Sequence, residues 1–402
     1  MSALSSHSAS PFRTHLIGID GLRFFAAISV MLFHFGYWCW AHPGTGYVVN
    51  DGSVRFPYLA IWTNWGWVGV HIFFVISGFV IALSAENATA YNFLVSRIVR
   101  LGPTVWICAP ITFAVSQIVH VVPRWQALKG LLHSLLFIPF EPWIDGVYWT
   151  LGVEVSFYSL VLALLLARRF DLIKTLAAIL GFLSAAFWLM YTVAVMGSGP
   201  LFDAAVLLES SRVLDLLLIH HGCEFALGIF LWLEFTKRKS AGQMAWIVAL
   251  SFASCLNIYA DNADKTPLFP AIVPIAIWLG AVALIVRSIS PSVRPSRLPS
   301  WVYSFCRRIG LMTYPLYLFH QINGVFIMRT AVRFGLPQNA AIAIALIVSI
   351  GCSWYISSVL EAPLQRATRR VLLSVRGFAE PVGRKPTADQ PGMVTKRDGA
   401  MP

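Results

Sequence analysis

The chain has 402 residues, of which 57% are hydrophobic and only 12% charged, and its mean hydropathy is +0.70. Soluble domains carry about 25% charged and about 45–50% apolar residues, so composition excludes both a water-soluble globule and a disordered chain. The formal charge of +12 would suggest nucleic acid in a soluble domain, but here its meaning depends on where the basic residues fall. Six cysteines are scattered singly, with no CxxC and no Cys/His ligand spacing, which suggests neither a disulfide framework nor a zinc site.

About 20 mostly apolar residues in helix cross a hydrocarbon core. Ten stretches qualify, at 19–41, 62–84, 101–122, 148–167, 172–196, 214–235, 243–260, 269–287, 309–332 and 338–361. The apolar run at 127–140 is shorter and reads as a re-entrant or interfacial helix. The predicted fold class is therefore an all-α polytopic membrane protein with about ten transmembrane helices and both termini cytoplasmic. Residues 1–18 form a cytoplasmic segment, 19–370 the transmembrane domain, and 371–402 a Pro/Gly-rich cytoplasmic tail expected to be mostly disordered. Asp20 and Arg23 precede the first apolar run and no small-x-small site follows it, so that run is expected to be a retained span.

Charge tests the topology. With the N-terminus inside, 23 of the 30 Lys and Arg residues fall on the cytoplasmic side and seven outside, which is the bias that orients membrane proteins. The same arrangement accounts for the high net charge without nucleic acid.

Ionisable residues within spans are costly and mark functional candidates. In the first span, Arg23 and His34 are eleven residues apart, which is three helical turns plus roughly 20°, so they share a face about 16 Å apart along the axis. Asp20 lies one turn before Arg23 on the same stripe. A cation at the mouth and an imidazole at depth suit an elongated anionic ligand, whereas the structural alternative has Arg23 snorkelling to headgroups and His34 capping a buried group. His71 is placed near the depth of His34, among Gly66, Gly69 and Gly78, which permit close helix approach. Arg97 and Arg100 share a face at the inner interface, as a phosphate clamp or as a positive-inside anchor. Glu154, one to two turns into the fourth span, has the chemistry to orient a hydroxyl or a histidine, or to act as acid or base. His220 and Glu224 are spaced i, i+4 in the sixth span, and Tyr317 and His320 lie near the middle of the ninth. No GxSxG, Walker A, GxGxxG or HExxH motif is present.

Together these pieces resemble the membrane acyltransferase 3 family. Asp20-Gly21-Leu22-Arg23 through Phe33-His34-Phe35 is similar to the family's DGLR…FHF opening. Residues 66–79 resemble its G-x-x-G-V-D-x-F-F-V-x-S-G-F stretch, with His71 in place of Asp. Arg97-x-x-Arg100-x-x-Pro103 matches its R-x-x-R-x-x-P loop, and Trp149-Thr150-Leu151 with Glu154, Phe157 and Tyr158 its W-[ST]-L-x-x-E-x-x-F-Y segment. Residues 310–320 and Glu361-Ala362-Pro363 resemble its closing motifs.

The resemblance implies a multi-pass inner-membrane O-acetyltransferase. It implies acetyl-CoA as cytoplasmic donor, no permanently bound cofactor, no metal, and a hydroxyl of a cell-surface or exported saccharide as acceptor. His34 falls on the family's essential histidine, as base or nucleophile. Arg23, Arg97 and Arg100 fall on the acyl-CoA-binding positions. Glu154 and Asp20 are candidate catalytic carboxyls, and His71, Tyr317 and His320 candidate acceptor-side or supporting groups. A macrolide or lipid-linked acceptor, a succinyl donor, a separate extracytoplasmic transferase as partner, and a proton-coupled secondary transporter remain as alternatives.

Overall fold

In lipid, every backbone N–H and C=O must be satisfied within the protein, and a chain this apolar meets that demand by folding into helices. The computed structural model describes residues 17–42, 44–236, 242–289 and 299–379, and among these it contains helices and no strand. The long helices are α1 (Ile17–Ala41), α2 (Gly69–Ala85), α3 (Ala90–Val119), α4 (Trp149–Leu166) and α5 (Ile173–Val195). They continue with α6 (Gly222–Phe235), α7 (Gln243–Lys265), α8 (Ile272–Ile289), α9 (Ser300–Arg333) and α10 (Gln338–Tyr355). A π turn, Ile356–Leu360, joins α10 to an amphipathic α11 (Glu361–Ala379). Residues 371–379 are thus helical, and Leu372 O accepts a hydrogen bond from the Tyr91 hydroxyl on α3. The rest of the predicted disordered tail, 380–402, and residues 1–16 lie outside the described residues.

Among the described residues, eight helical stretches are long and apolar enough to cross a membrane, where ten were predicted. Two of the predicted spans fall outside that set. The stretch at 214–235 holds a helix of 14 residues, α6, because the chain before it forms the short helix Arg212–Leu216 and a turn. Twelve of those 14 residues are buried, so α6 is sheathed by protein and has no lipid-facing length to fill. The stretch at 309–332 lies within the 34-residue α9, whose Thr313, His320, Gln321 and Asn323 are buried polar residues that lower its hydropathy. The run at 127–140 forms a 12-residue helix, Arg124–Leu135, too short to span.

Glycines set the central packing. A Cβ on Gly69 would lie 2.5 Å from Ala26 O, so α2 crosses α1 backbone to backbone. At the α2–α6 crossing, Gly78 faces Gly228, and a Cβ on Gly228 would overlap Val75 O. Such close approach is how helices gain contact energy where lipid supplies no hydrophobic drive. Gly228→Ala is expected to lower stability by about 1–3 kcal/mol, the usual cost of overpacking. Gly351→Ala, where no atom lies within 4 Å of the added carbon, serves as the neutral comparison. Thermal unfolding of the two variants in detergent, followed by size-exclusion fluorescence, checks the difference; equal midpoints would refute it.

Within α1 the hydrogen-bond pattern widens to a π turn over His34–Trp38. Single π turns inside α-helices frequently mark functional sites. This one begins on His34.

Candidate functional site

Two cavities lie along α1. The first, about 110 Å³, is lined by Arg23, Arg97 and Arg100 together with Glu154, Tyr158 and Tyr314. The second, about 190 Å³, is lined by His34, His71, Asp261 and Lys265 among aromatic side chains. Val70 and Tyr317 line both, so they form a wall common to the two. The Tyr317 hydroxyl stands 3.2 Å from Thr150 Oγ1, whose own proton goes to Val147 O at 3.2 Å, so the tyrosine donates and the threonine accepts.

The arginine cavity is cationic. Arg23 Nη1 is 3.8 Å from Asp20 Oδ1, and Arg100 Nη1 is 3.6 Å from Glu361 Oε1. That Arg100 nitrogen is buried without a hydrogen-bond partner, a group that an anion would satisfy. Arg97 Nε donates to Ser96 Oγ at 3.1 Å, and its guanidinium lies over the Phe93 and Tyr158 rings. Glu154 sits among the three arginines, where its Oε2 accepts from the Tyr158 hydroxyl at 2.7 Å and its Oε1 is 3.5 Å from Ser77 Oγ. Its charge opposes any anion here, and it is the one carboxylate among the described lining residues, with Asp20 and Glu361 paired to Arg23 and Arg100 outside the lining.

The predicted site therefore divides. Arg23, Arg97, Arg100 and Glu154 come together, but Glu154 does not reach His34. Asp20 stays beside Arg23, fourteen residues and about 21 Å along the helix from His34, too far to touch atoms reacting there. The partner of His34 is His320. His320 Nδ1 is 3.1 Å from Leu316 O and 2.9 Å from Tyr317 O, and since carbonyls only accept, Nδ1 carries the proton. With both rings neutral, His320 Nε2 then bears a lone pair and accepts from His34 Nδ1–H at 2.9 Å. Val30 O, 3.0 Å from the same nitrogen, accepts alongside. His34 Nε2 is left with its lone pair and no hydrogen bond among the described residues, on a side chain that lines the second cavity. One ring nitrogen is fixed as donor, and the other keeps its lone pair free.

His71 is fully engaged. Its Nδ1 is 3.0 Å from Glu224 Oε1 and its Nε2 3.0 Å from Asp261 Oδ2, which ties α2 to α6 and α7. Lys265 Nζ closes on the same Asp261 oxygen at 2.6 Å. Sequence reasoning missed Asp261 and Lys265 because the predicted seventh span stopped at 260, whereas α7 runs to Lys265. The i, i+4 spacing of that pair was the available signal. The predicted i, i+4 relation of His220 and Glu224 fails because the helix starts at Gly222. His220 Nδ1 bonds Asp215 Oδ1 at 2.7 Å, and Glu224 turns to His71.

His71, His221 and Glu224 offer ligand atoms within 4.8 Å of one another, a spacing a metal ion would accept. Both His71 nitrogens already serve carboxylates, and Glu224 accepts further bonds from Asn257 Nδ2 at 2.8 Å and the Cys223 thiol at 3.0 Å. His71 and Glu224 are thus committed to an ion-paired network, so no metal chemistry is derived from the group.

Comparison with known proteins bears on the chemistry. The chain is 27% identical over 361 residues to nodulation protein 10 of Rhizobium leguminosarum, covering 80% of this chain and 85% of that one. It is 25% identical over 332 residues to the exopolysaccharide production protein ExoZ of Rhizobium meliloti, covering 78% and 95%. A further match, 25% identical over 352 residues, is the peptidoglycan O-acetyltransferase OatA of Listeria monocytogenes, of which the alignment covers 49% and 77% of this chain. No solved structure matches. The family model described as acyltransferase domain matches residues 16–358, a stretch that holds both cavities and every residue that lines them. With that match the transporter alternative gives way, and the chain belongs to the membrane acyltransferase family.

Proposed function

We propose that the protein moves an acetyl group from cytoplasmic acetyl-CoA to a hydroxyl of a cell-surface or exported saccharide, with His34 as the base. The observation that carries the reading is the pairing of two cavities along one helix, arginines in the first and an unencumbered imidazole nitrogen in the second. In this reading the arginine end faces the cytoplasm of an inner membrane, as the bias of 23 basic residues to seven supports. The chain then crosses the bilayer ten times, with α9 spanning by itself and α6 completing its crossing together with the short helix Arg212–Leu216 that precedes it.

A cavity of about 110 Å³ suits the slender pantetheine arm and not the nucleotide. Arg23, Arg97 and Arg100 therefore meet phosphates at its mouth, while the arm runs toward the Val70–Tyr317 wall. Tyr317 turns aside and the thioester carbonyl comes to the His34 side. The acceptor O–H gives its proton to His34 Nε2 as the oxygen attacks that carbonyl. The C–S bond breaks, coenzyme A leaves as thiolate, and the thiolate takes the proton back from the imidazolium. The products are an O-acetyl ester and free coenzyme A. His320 Nε2 accepts from His34 Nδ1–H throughout and stabilises the transient cation.

The test is donor kinetics in nanodiscs. Arg97→Ala combined with Arg100→Ala is expected to raise the KM for acetyl-CoA at least tenfold, with a smaller change in kcat, because phosphate contacts far from the reacting carbonyl bind ground state and transition state alike. A donor KM equal to that of the unaltered protein would remove the arginines from the reading.

A further inference from the structure

We propose that the His34 cavity is an acceptor pocket built for one uncharged sugar ring, with the Trp67 indole N–H and the Gln321 amide as the groups that select it. The inference rests on the acyl-transfer reading above and assigns the acceptor half of it.

Three observations carry it. The first is the wall material. Trp38, Trp67 and Trp149 line the cavity, and flat indoles offer apolar surface for the C–H faces of a pyranose while leaving its rim of hydroxyls for polar groups. At about 10–15 Å³ for each water, about 190 Å³ holds roughly 13–19 waters, room for the dozen heavy atoms of one hexose.

The second is a pair of unsatisfied groups. Trp67 Nε1 and Gln321 Oε1 are buried and have no hydrogen-bond partner among the described residues, on side chains only 3% and 5% exposed. One is a donor and the other an acceptor, and both side chains belong to the same cavity wall. An orphaned buried polar group costs about 1–3 kcal/mol, so such groups are kept where a ligand satisfies them. A hydroxyl both donates and accepts, so neighbouring sugar hydroxyls answer both. A site built this way rejects ligands that lack those hydroxyls.

The third is charge. The cations of the pocket are already matched, with His71 between Glu224 and Asp261 and Lys265 on Asp261 at 2.6 Å. Two cations against two carboxylates leave nothing for a uronate or a phosphorylated sugar. The arginine cavity differs in how tightly its charges are paired, since Arg23 and Arg100 stand 3.8 and 3.6 Å from Asp20 and Glu361 and Arg100 Nη1 makes no hydrogen bond among the described residues. Lys265 also lies 5.2 Å from the Trp67 ring centre, which holds the indole and the charged pair as one unit.

The experiment uses the full chain in nanodiscs, with methyl hexosides of gluco, galacto and manno configuration and the corresponding methyl hexuronides as probes. Binding is read by saturation-transfer difference NMR, which needs no donor, and transfer by label from radioactive acetyl-CoA. At least one hexoside is expected to bind and no hexuronide to bind more tightly. Trp67→Phe, which keeps a ring and removes the N–H, and Gln321→Met are each expected to weaken that binding about tenfold. The KM for acetyl-CoA stays within a factor of two. Asp261→Asn releases Lys265 and is expected to improve hexuronide binding. A hexuronide preferred by the unaltered protein, no hexoside binding, or full hexoside affinity in both the Trp67 and Gln321 variants overturns the pocket. Hexoside binding with no acetyl-CoA turnover leaves the pocket standing and overturns the acyl-transfer reading alone.

Discussion

His34→Ala is expected to lower acetyl transfer by about 10²–10⁴-fold, the range that a positioned general base supplies. The donor KM is expected to change little, because the arginine cavity lies about 16 Å away along the helix and has lining of its own. That split between kcat and KM separates lost chemistry from lost folding, since a collapsed helix would take both. Labelled acetyl transfer by purified protein measures it. Activity within a few-fold of the unaltered protein would remove His34 from the mechanism. If the imidazole carries the acetyl as a nucleophile, acid quench during turnover leaves label on the protein that hydroxylamine releases. A base alone leaves none.

His320→Leu is the second large effect, expected at about 10²-fold in kcat, the lower end of what acid–base positioning contributes. The substitution removes the lone pair that accepts from His34 Nδ1–H and leaves only Val30 O, which holds the ring less firmly and gives less support to the imidazolium. His320→Gln returns an acceptor at a similar reach and is expected to recover part of the loss. A merely structural role would show the reverse signature: both variants would lower expression and thermal midpoint together, and kcat per folded molecule would hold. Steady-state kinetics beside a thermal unfolding curve tell the two apart.

Much of this arrangement was legible before any coordinates. Helix was forced by composition, and the stripe from Arg23 to His34 follows from 3.6 residues per turn, which is why both ends of α1 face cavities. The close approach at Gly69 and Gly78 was readable from residue size. What was not readable depends on which helices meet. His34 and His320 are separated by 286 residues, and no local pattern announces that one ring orients the other. Glu154 looked like a partner for His34 because its depth was judged from its place in a span, and depth says nothing about which side of a wall a side chain occupies. Asp261 and Lys265 were lost to a helix end set five residues early, and with them went the counter-charges that make His71 intelligible. The short α6 was taken for a full span because hydropathy averages over a window and cannot see a helix sheathed by its neighbours.

The wall of Val70 and Tyr317 has a consequence for the cell as well as for the reaction. Any protein with deep water-filled cavities reached from opposite faces of a bilayer is at risk of becoming a conduit, and a conduit discharges the proton gradient that the membrane exists to hold. An isopropyl group and a phenol pinned to Thr150 form an apolar constriction of the kind that dewets. On the acyl-transfer reading, a hydrated proton or sodium ion would be stopped there, whereas the slender thioester arm would fill the gap it opens. On that same reading, the two-carbon cargo would travel while the electrochemical potential stays.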